Sequence, residues 1–232
     1  MTTLIIATRN AHKVAEIQAI LGKQFRYLSL NDFVGAPTPL ENAATFAGNA
    51  TIKAVELAGW LAAQPKALLA KVGGSVDAVH VLADDSGLIV DALNGAPGVH
   101  SARFAAIDTG MPGNSPDHAN NAKLIRLLKD VPATNRSARF CCAIALVRIL
   151  MSSITGKVLA PVSGGAARQV LTFEGFCEGR IALSPSGQGG FGYDPLFIPE
   201  GQTKSFAELG EKEKNTMSHR SRALEKVRAK LS

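Results

Sequence analysis

Hydrophobic positions change their period along the chain. Residues 4–7 (LIIA) form a four-residue apolar run closed by Thr8-Arg9-Asn10, the pattern of a short buried strand. Val14, Ile17, Ile20 and Leu21 then recur at helical spacing until Gly22 interrupts them, so the chain opens strand, loop, helix. Phe46, Ala50, Ala54, Leu57 and Leu61 predict a second helix over about residues 44–63. Residues 64–80 have poor periodicity and a Gly-Gly, and predict a loose excursion with a short helical piece. Residues 81–83 read as a strand running into Asp84-Asp85-Ser86-Gly87, where Ser-Gly predicts a turn before another strand at 88–93.

Residues 108–117 (DTGMPGNSPD) are loop chemistry throughout, and 119–129 place Leu124, Leu127 and Leu128 on a helix. Residues 138–149 and 170–177 are β-rich. They flank a Gly/Ser/Pro-rich stretch at 152–167 that reads as a long hairpin connection. A short strand at 180–183, a glycine-rich loop at 187–192 and a last helix with Leu224, Val227 and Leu231 on one stripe follow. The chain has no internal repeat. Strands alternating with helices, then a β-rich middle, predict an α/β fold: a mixed β-sheet with flanking helices, in two lobes with a cleft between them.

Composition places this pattern in a packed globular protein: 232 residues, 46% hydrophobic and 19% charged. One such domain buries roughly 70% of its unfolded surface and needs no staples. Cys141 and Cys142 would face opposite sides of a strand, and with Cys177 the count is odd, so neither a disulfide framework nor a zinc site is expected. The apolar runs are too short for a secretory signal or a membrane span, which predicts a cytoplasmic protein with no membrane partner. Net charge is +6, and residues 204–232 hold eight Lys/Arg against four Asp/Glu, so +4 of it lies in this tail. A basic tail suits nucleic acid, a phosphate-rich small substrate or a plain solvated helix face.

Candidate chemistry gathers at five places. Asp84 and Asp85 are adjacent carboxylates at the end of an apolar strand, able to hold a hard cation or to take a proton from water; the competing reading is an Asp-rich turn. Thr8, Asn10 and Lys13 occupy the first strand-to-helix loop, where a helix N-terminus favours phosphate; the competing reading is capping by Asn10 and a surface lysine. No G-x-x-x-x-G-K-[ST] occurs, which removes a P-loop. Asn49 and Lys53 share a helical face, and Glu41 before that helix is a capping residue or a metal ligand. Gly187-Gln188-Gly189-Gly190-Phe191-Gly192 matches G-x-G-x-x-G in form, but Tyr193-Asp194-Pro195 follows it and Pro195 disfavours a helix there. Phe191 and Tyr193 among glycines instead suggest a platform for a planar base, or simply core aromatics at a turn. Lys214, His219, Arg220 and Arg222 gather at the start of the last helix as donors to a base oxygen or phosphate, with Arg222 better read as solvated.

The order of these segments is more specific than any one of them. ATRNAHKVAEI (7–17), ENAATFAGNATIKA (41–54), ADDSGLIVDALNGAPGVHSARF (83–104), GGFGYDPLF (189–197) and EKNTMSHRSRAL (213–224) together resemble the inosine triphosphate pyrophosphatase family. That resemblance implies a long mixed sheet, two lobes around a central cleft, a homodimer and Mg²⁺. It also implies hydrolysis of non-standard purine nucleotides (ITP, dITP, XTP) to the monophosphate and pyrophosphate, with no nucleic-acid partner. By position it implies Asp85 as the proton acceptor, and Glu41, Asp85 and Asp84 as the metal environment. Thr8, Arg9, Asn10, Ala11, His12, Lys13 and Lys53 would cradle the triphosphate, with Ser86 a further substrate contact. Phe191, Gly192, Tyr193 and Asp194 would form the base and sugar loop, and Lys214, His219 and Arg220 would recognise a 6-oxo purine. Arg9 stands where the family's first motif usually has Gly, and is itself a candidate phosphate contact. Residues 64–80 and 152–167 are longer than the family usually needs, and are expected to reshape the cleft rim or the dimer edge.

Overall fold

The structure, a computed structural model, describes residues 1–72, 78–150 and 169–231. In chain order the elements are β1 (Thr2–Ile6), α1 (Ala11–Leu21), β2 (Phe25–Ser29), α2 (Phe46–Ala62), α3 (Pro65–Val72), β3 (Ala78–Val90), α4 (Ala106–Thr109), α5 (Asp117–Leu127), β4 (Ser137–Leu150), β5 (Val170–Ile181), β6 (Phe197–Pro199), α6 (Phe206–Leu209), α7 (Glu211–Met217) and α8 (His219–Leu231). The strands form one sheet in the order β2-β1-β3-β4-β5-β6. It is mixed: β1 pairs in parallel with β2 and with β3, and β6 pairs antiparallel with β5. The chain divides into two compact units, Met1–Asp85 with Ala143–Phe173 and Leu224–Ser232, and Ser86–Cys142 with Glu174–Ala223. Among the described residues no helix is long and apolar enough to cross a membrane.

In the first unit the apolar patterns fold as their periods dictate. Leu4, Ile5 and Ile6 of β1 are fully buried, as expected for a parallel strand covered on both faces. The side chain of Asn10 caps α1, and Gly22 ends it at φ +82°, a conformation that disfavours a side chain. Thr45 Oγ1 accepts from Gly48 N to cap α2, whose stripe Ala50, Ala54, Leu57, Ala58 and Leu61 is buried. Each such leucine contributes about 1.5–3 kcal/mol by leaving water. The excursion predicted at 64–80 contains a helical piece, α3, as expected.

β3 departs from expectation. In place of strand, turn and strand, it runs unbroken from Ala78 to Val90 straight through Asp84-Asp85-Ser86-Gly87, and Asp91–Leu93 then form a 3-10 turn. Two adjacent aspartates usually end a strand because their charges seek water. Here each meets a lysine, so the strand continues with both buried. The predicted strands at 170–177 and 180–183 are likewise one strand, β5. The predicted connection at 152–167 lies outside the described residues.

The second unit has its own core. Leu88, Val90, Phe104, Leu124, Leu128, Phe140, Cys177, Tyr193, Leu196, Phe197 and Phe206 belong to one buried cluster. Phe140 packs edge-on to Phe197 with ring centroids 4.7 Å apart, and Phe197 lies 5.3 Å from Phe206. Gly175 of β5 lets the first turn of α8 approach closely: a Cβ there would stand 2.2 Å from the carbonyl oxygen of His219.

Candidate active site

Two clusters hold many of the residues singled out above, one in each unit. In the first, the strand places Asp84 and Asp85 on alternate faces, and a different helix answers each. Lys13 Nζ of α1 donates to Asp84 Oδ1 at 2.5 Å, and Lys53 Nζ of α2 donates to Asp85 Oδ1 at 2.9 Å. Lys53 Nζ also reaches Glu41 Oε1 at 3.4 Å. Asn49, one turn before Lys53, is fully buried and donates from Nδ2 to Asp85 Oδ2 at 3.3 Å. Its Oδ1 accepts from Ala43 N at 2.9 Å, which ties down the segment that carries Glu41.

Burial raises the Asp85 carboxyl above its ordinary range, against the opposing pull of Lys53 and Lys13, while nearby Glu41 adds to the rise. Burial alone would lower the Lys53 ammonium, but Asp85, Glu41 and Asp84 outweigh it and hold the lysine protonated. The result is a carboxylate poised to accept a proton beside a cation that keeps its own.

The loop before α1 is held by its own side chains. Asn10 Oδ1 already accepts from His12 N at 2.9 Å and Lys13 N at 3.2 Å, and Thr8 Oγ1 accepts from Asn10 N at 3.1 Å. Ala11 and His12 are exposed in the first turn. The Arg9 guanidinium donates to Ala36 O at 2.7 Å and Thr38 Oγ1 at 3.0 Å. It therefore braces the segment leading to Glu41.

In the second unit, Lys214 Nζ donates to Asp194 Oδ2 at 2.7 Å, with both side chains buried. The same oxygen accepts from Phe191 N at 2.9 Å, which closes a tight turn over Gly192 and Tyr193. The Lys214 ammonium lies 4.6 Å from the Phe191 ring centroid, and the Arg220 guanidinium carbon lies 5.9 Å from it. Arg220, only 1% exposed, donates to Ser86 Oγ at 2.9 Å. His219 stacks on Phe140 with centroids 4.7 Å apart and planes 12° from parallel. Tyr193 is buried, donates to Ser101 O at 2.9 Å, and burial keeps its phenol well above its usual range. Arg222 bonds to Phe176 O at 2.7 Å on an exposed edge, in keeping with its reading as a surface residue.

The structure thus gathers Asp85, Lys53 and Glu41 with Asn49, and gathers Phe191, Asp194, Lys214 and Arg220 with Ser86. It does not bring Glu41, Asp84 and Asp85 into one ligand set. Asp84 turns to Lys13, and among the described residues no three His, Cys, Asp or Glu side chains gather as a metal site. Glu41 and Asp85 do converge on one cation, the Lys53 ammonium, and such a pair of carboxylates fits a hard oxygen-seeking ion. Sequence reasoning assigned no role to Ser101, Asp117 or Asn121. Ser101 lies inside the GAPGVHSARF segment, and Asp117 and Asn121 lie one helical turn apart, but nothing in the sequence separates them from the chain's other polar residues.

Fold and clusters define a class: an α/β protein whose central strand carries a buried carboxylate–lysine centre. Comparison with known proteins names it more closely. The Ham1 family model matches residues 4–230, and the chain belongs to the Ham1 family. It is 42% identical to a dITP/XTP pyrophosphatase of Geobacillus kaustophilus over 98% of this chain and 93% of that one. It is 43% identical to a dITP/XTP pyrophosphatase of Geobacter sulfurreducens over 97% of this chain and 94% of that one. Among solved structures, a HAM1 protein from Coxiella burnetii superposes with a TM-score of 0.72 at 34% identity, covering 100% of this chain and 98% of that one.

Proposed function

We propose that this protein hydrolyses non-standard purine nucleoside triphosphates (ITP, dITP and XTP) to the monophosphate and pyrophosphate. The observation that carries the reading is Asp85: a buried carboxylate, raised above its ordinary range by burial and paired with a charged lysine, in a chain whose full-length relatives are named pyrophosphatases. In the reaction, water attacks the α-phosphorus, the bond from that phosphorus to the bridging oxygen breaks, and pyrophosphate leaves. Asp85 accepts the proton from the attacking water. Lys53 and Lys13 supply positive charge to the phosphates. Glu41 and Asp85 would hold Mg²⁺, which when bound neutralises phosphate charge and orients the chain. The Phe191–Asp194 turn receives the base, and Lys214, His219 and Arg220 are the donors that suit an oxygen at the purine 6-position. The family resemblance supports a homodimer, and the short apolar runs and cysteine usage support a cytoplasmic location.

Pyrophosphate release from ITP, dITP, XTP and the four normal dNTPs tests the reading. The three non-standard nucleotides are expected to exceed the normal ones in kcat/KM by at least about tenfold, the discrimination that one base-edge hydrogen bond supplies. Equal rates on all seven would refute it.

A further inference from the structure

We propose that Asp117 and Asn121 are positioning residues for the base: together they hold the Gly192 backbone and so fix where the Phe191 ring stands. The inference rests on the reading of the Phe191–Asp194 turn as the base platform. The two side chains are four residues apart on α5 and therefore share one face of the helix. Asp117 Oδ2 accepts from Gly192 N at 2.6 Å, and Asn121 Nδ2 donates to Gly192 O at 3.0 Å. Both backbone groups of a single glycine are thus gripped from one element.

That glycine sits at φ +63°, in a loop where four of the six residues 187–192 are Gly. Such a sequence has little stiffness of its own, and ordering it costs more entropy than ordering other residues. The loop therefore depends on outside ties to hold an aromatic ring in place. One tie is internal to the predicted site, Asp194 on Phe191 N and Lys214 on Asp194. The α5 pair is the second, and it comes from an element that carries none of the predicted site residues. Asp117 contributes a charge-assisted bond, the stronger kind. Asn121 is 8% exposed, and its Oδ1 is buried with no partner among the described residues. An acceptor left this way detracts from stability, so the bond to Gly192 is the favourable part of what the side chain does.

Steady-state kinetics on ITP, with melting temperatures alongside, test the pair. Asn121→Ala and Asp117→Ala are each expected to raise KM about tenfold while kcat stays within about twofold. Asp117→Asn keeps an acceptor oxygen and is expected to hold KM within about threefold of the parent. Added to Phe191→Ala, Asn121→Ala is expected to change KM by less than about twofold, because both act through one ring. KM unmoved in both alanine variants overturns the proposal, whether or not they melt earlier, and so do losses that multiply fully with Phe191→Ala. A parent protein that releases no pyrophosphate from ITP overturns the proposed function instead. The clamp is then judged by ITP affinity in calorimetry with a chelator present. An unchanged Kd in both variants, or no binding by the parent, overturns it.

Discussion

Burial and two lysines pull the Asp85 carboxyl in opposite directions, and burial is the larger effect. Asp85→Asn removes the proton acceptor but keeps the side chain's size and polarity beside Asn49 and Lys53. Its turnover is expected to fall by a factor on the order of 10² or more, with nucleotide affinity largely intact. Pyrophosphate release measured beside equilibrium binding checks this, and near-normal turnover would remove Asp85 from the chemistry. Arg9 makes the opposite case. Its donors point at Ala36 O and Thr38 Oγ1 on an exposed edge, where single hydrogen bonds contribute little. Arg9→Ala is therefore expected to change KM for ITP by less than about threefold. A tenfold rise in the same assay would return the side chain to the phosphates.

Among the elements, β5 and α8 show how tightly backbone geometry is set. A Cβ on Gly175 would stand 2.2 Å from His219 O and 2.5 Å from Ala223 N, and neither atom belongs to a side chain that can swing aside. Gly175→Ala is expected to destabilise by about 3 kcal/mol, the upper end of ordinary overpacking, read as a lower urea midpoint at unchanged slope. A shift below about 0.5 kcal/mol would mean that the helix moves freely. The elements that sequence period revealed, α1, α2, α5 and α8, are those with an apolar stripe, to which Gly22 adds a stop signal for α1. The breaks predicted in β3 and β5 were false for one reason. Ser-Gly reads as a turn locally, yet Asp84 and Asp85 are neutralised by Lys13 and Lys53, and the gap predicted at 178–179 closes because Gly179 pairs with Pro199 of β6, where a Cβ would stand 2.3 Å from Ile198 O. Those partners lie far away in sequence, so no local window contains them. The same distance hid Asp117 and Asn121, whose role exists only once Gly192 is beside them. The motif residues Asp85, Lys53, Phe191, Asp194, Lys214 and Arg220 were legible because their order along the chain is characteristic.

For the molecule as a whole, net charge misleads unless each charge is followed to its partner. Residues 204–232 carry +4 of the net +6, which on composition alone suits a nucleic-acid surface. In the structure Lys214 is buried on Asp194, Arg220 is buried and bonds Ser86, Arg222 bonds Phe176 O, and Arg228 bonds Ile20 O. That leaves Lys204, Lys212, Lys226 and Lys230 exposed among Glu208, Glu211, Glu213 and Glu225, which are exposed too, and a surface of balanced charge makes a poor counter-surface for a phosphate backbone. Fluorescence anisotropy with a labelled oligonucleotide at physiological salt is expected to give a Kd weaker than about 10⁻⁴ M, the loose end of non-specific binding. Micromolar binding that weakens steeply with salt would contradict that. The unbroken β3 sets a last constraint, one of parity. Its pairing with β1 is fixed as far as Ile6 opposite Leu82, and two residues further on the carboxylates begin. One residue inserted between those points would turn Asp84 toward the side of Lys53 and Asp85 toward the side of Lys13, exchanging buried acid and base partners in a single step. Loops of this protein can change length by any integer; this strand can change only by twos.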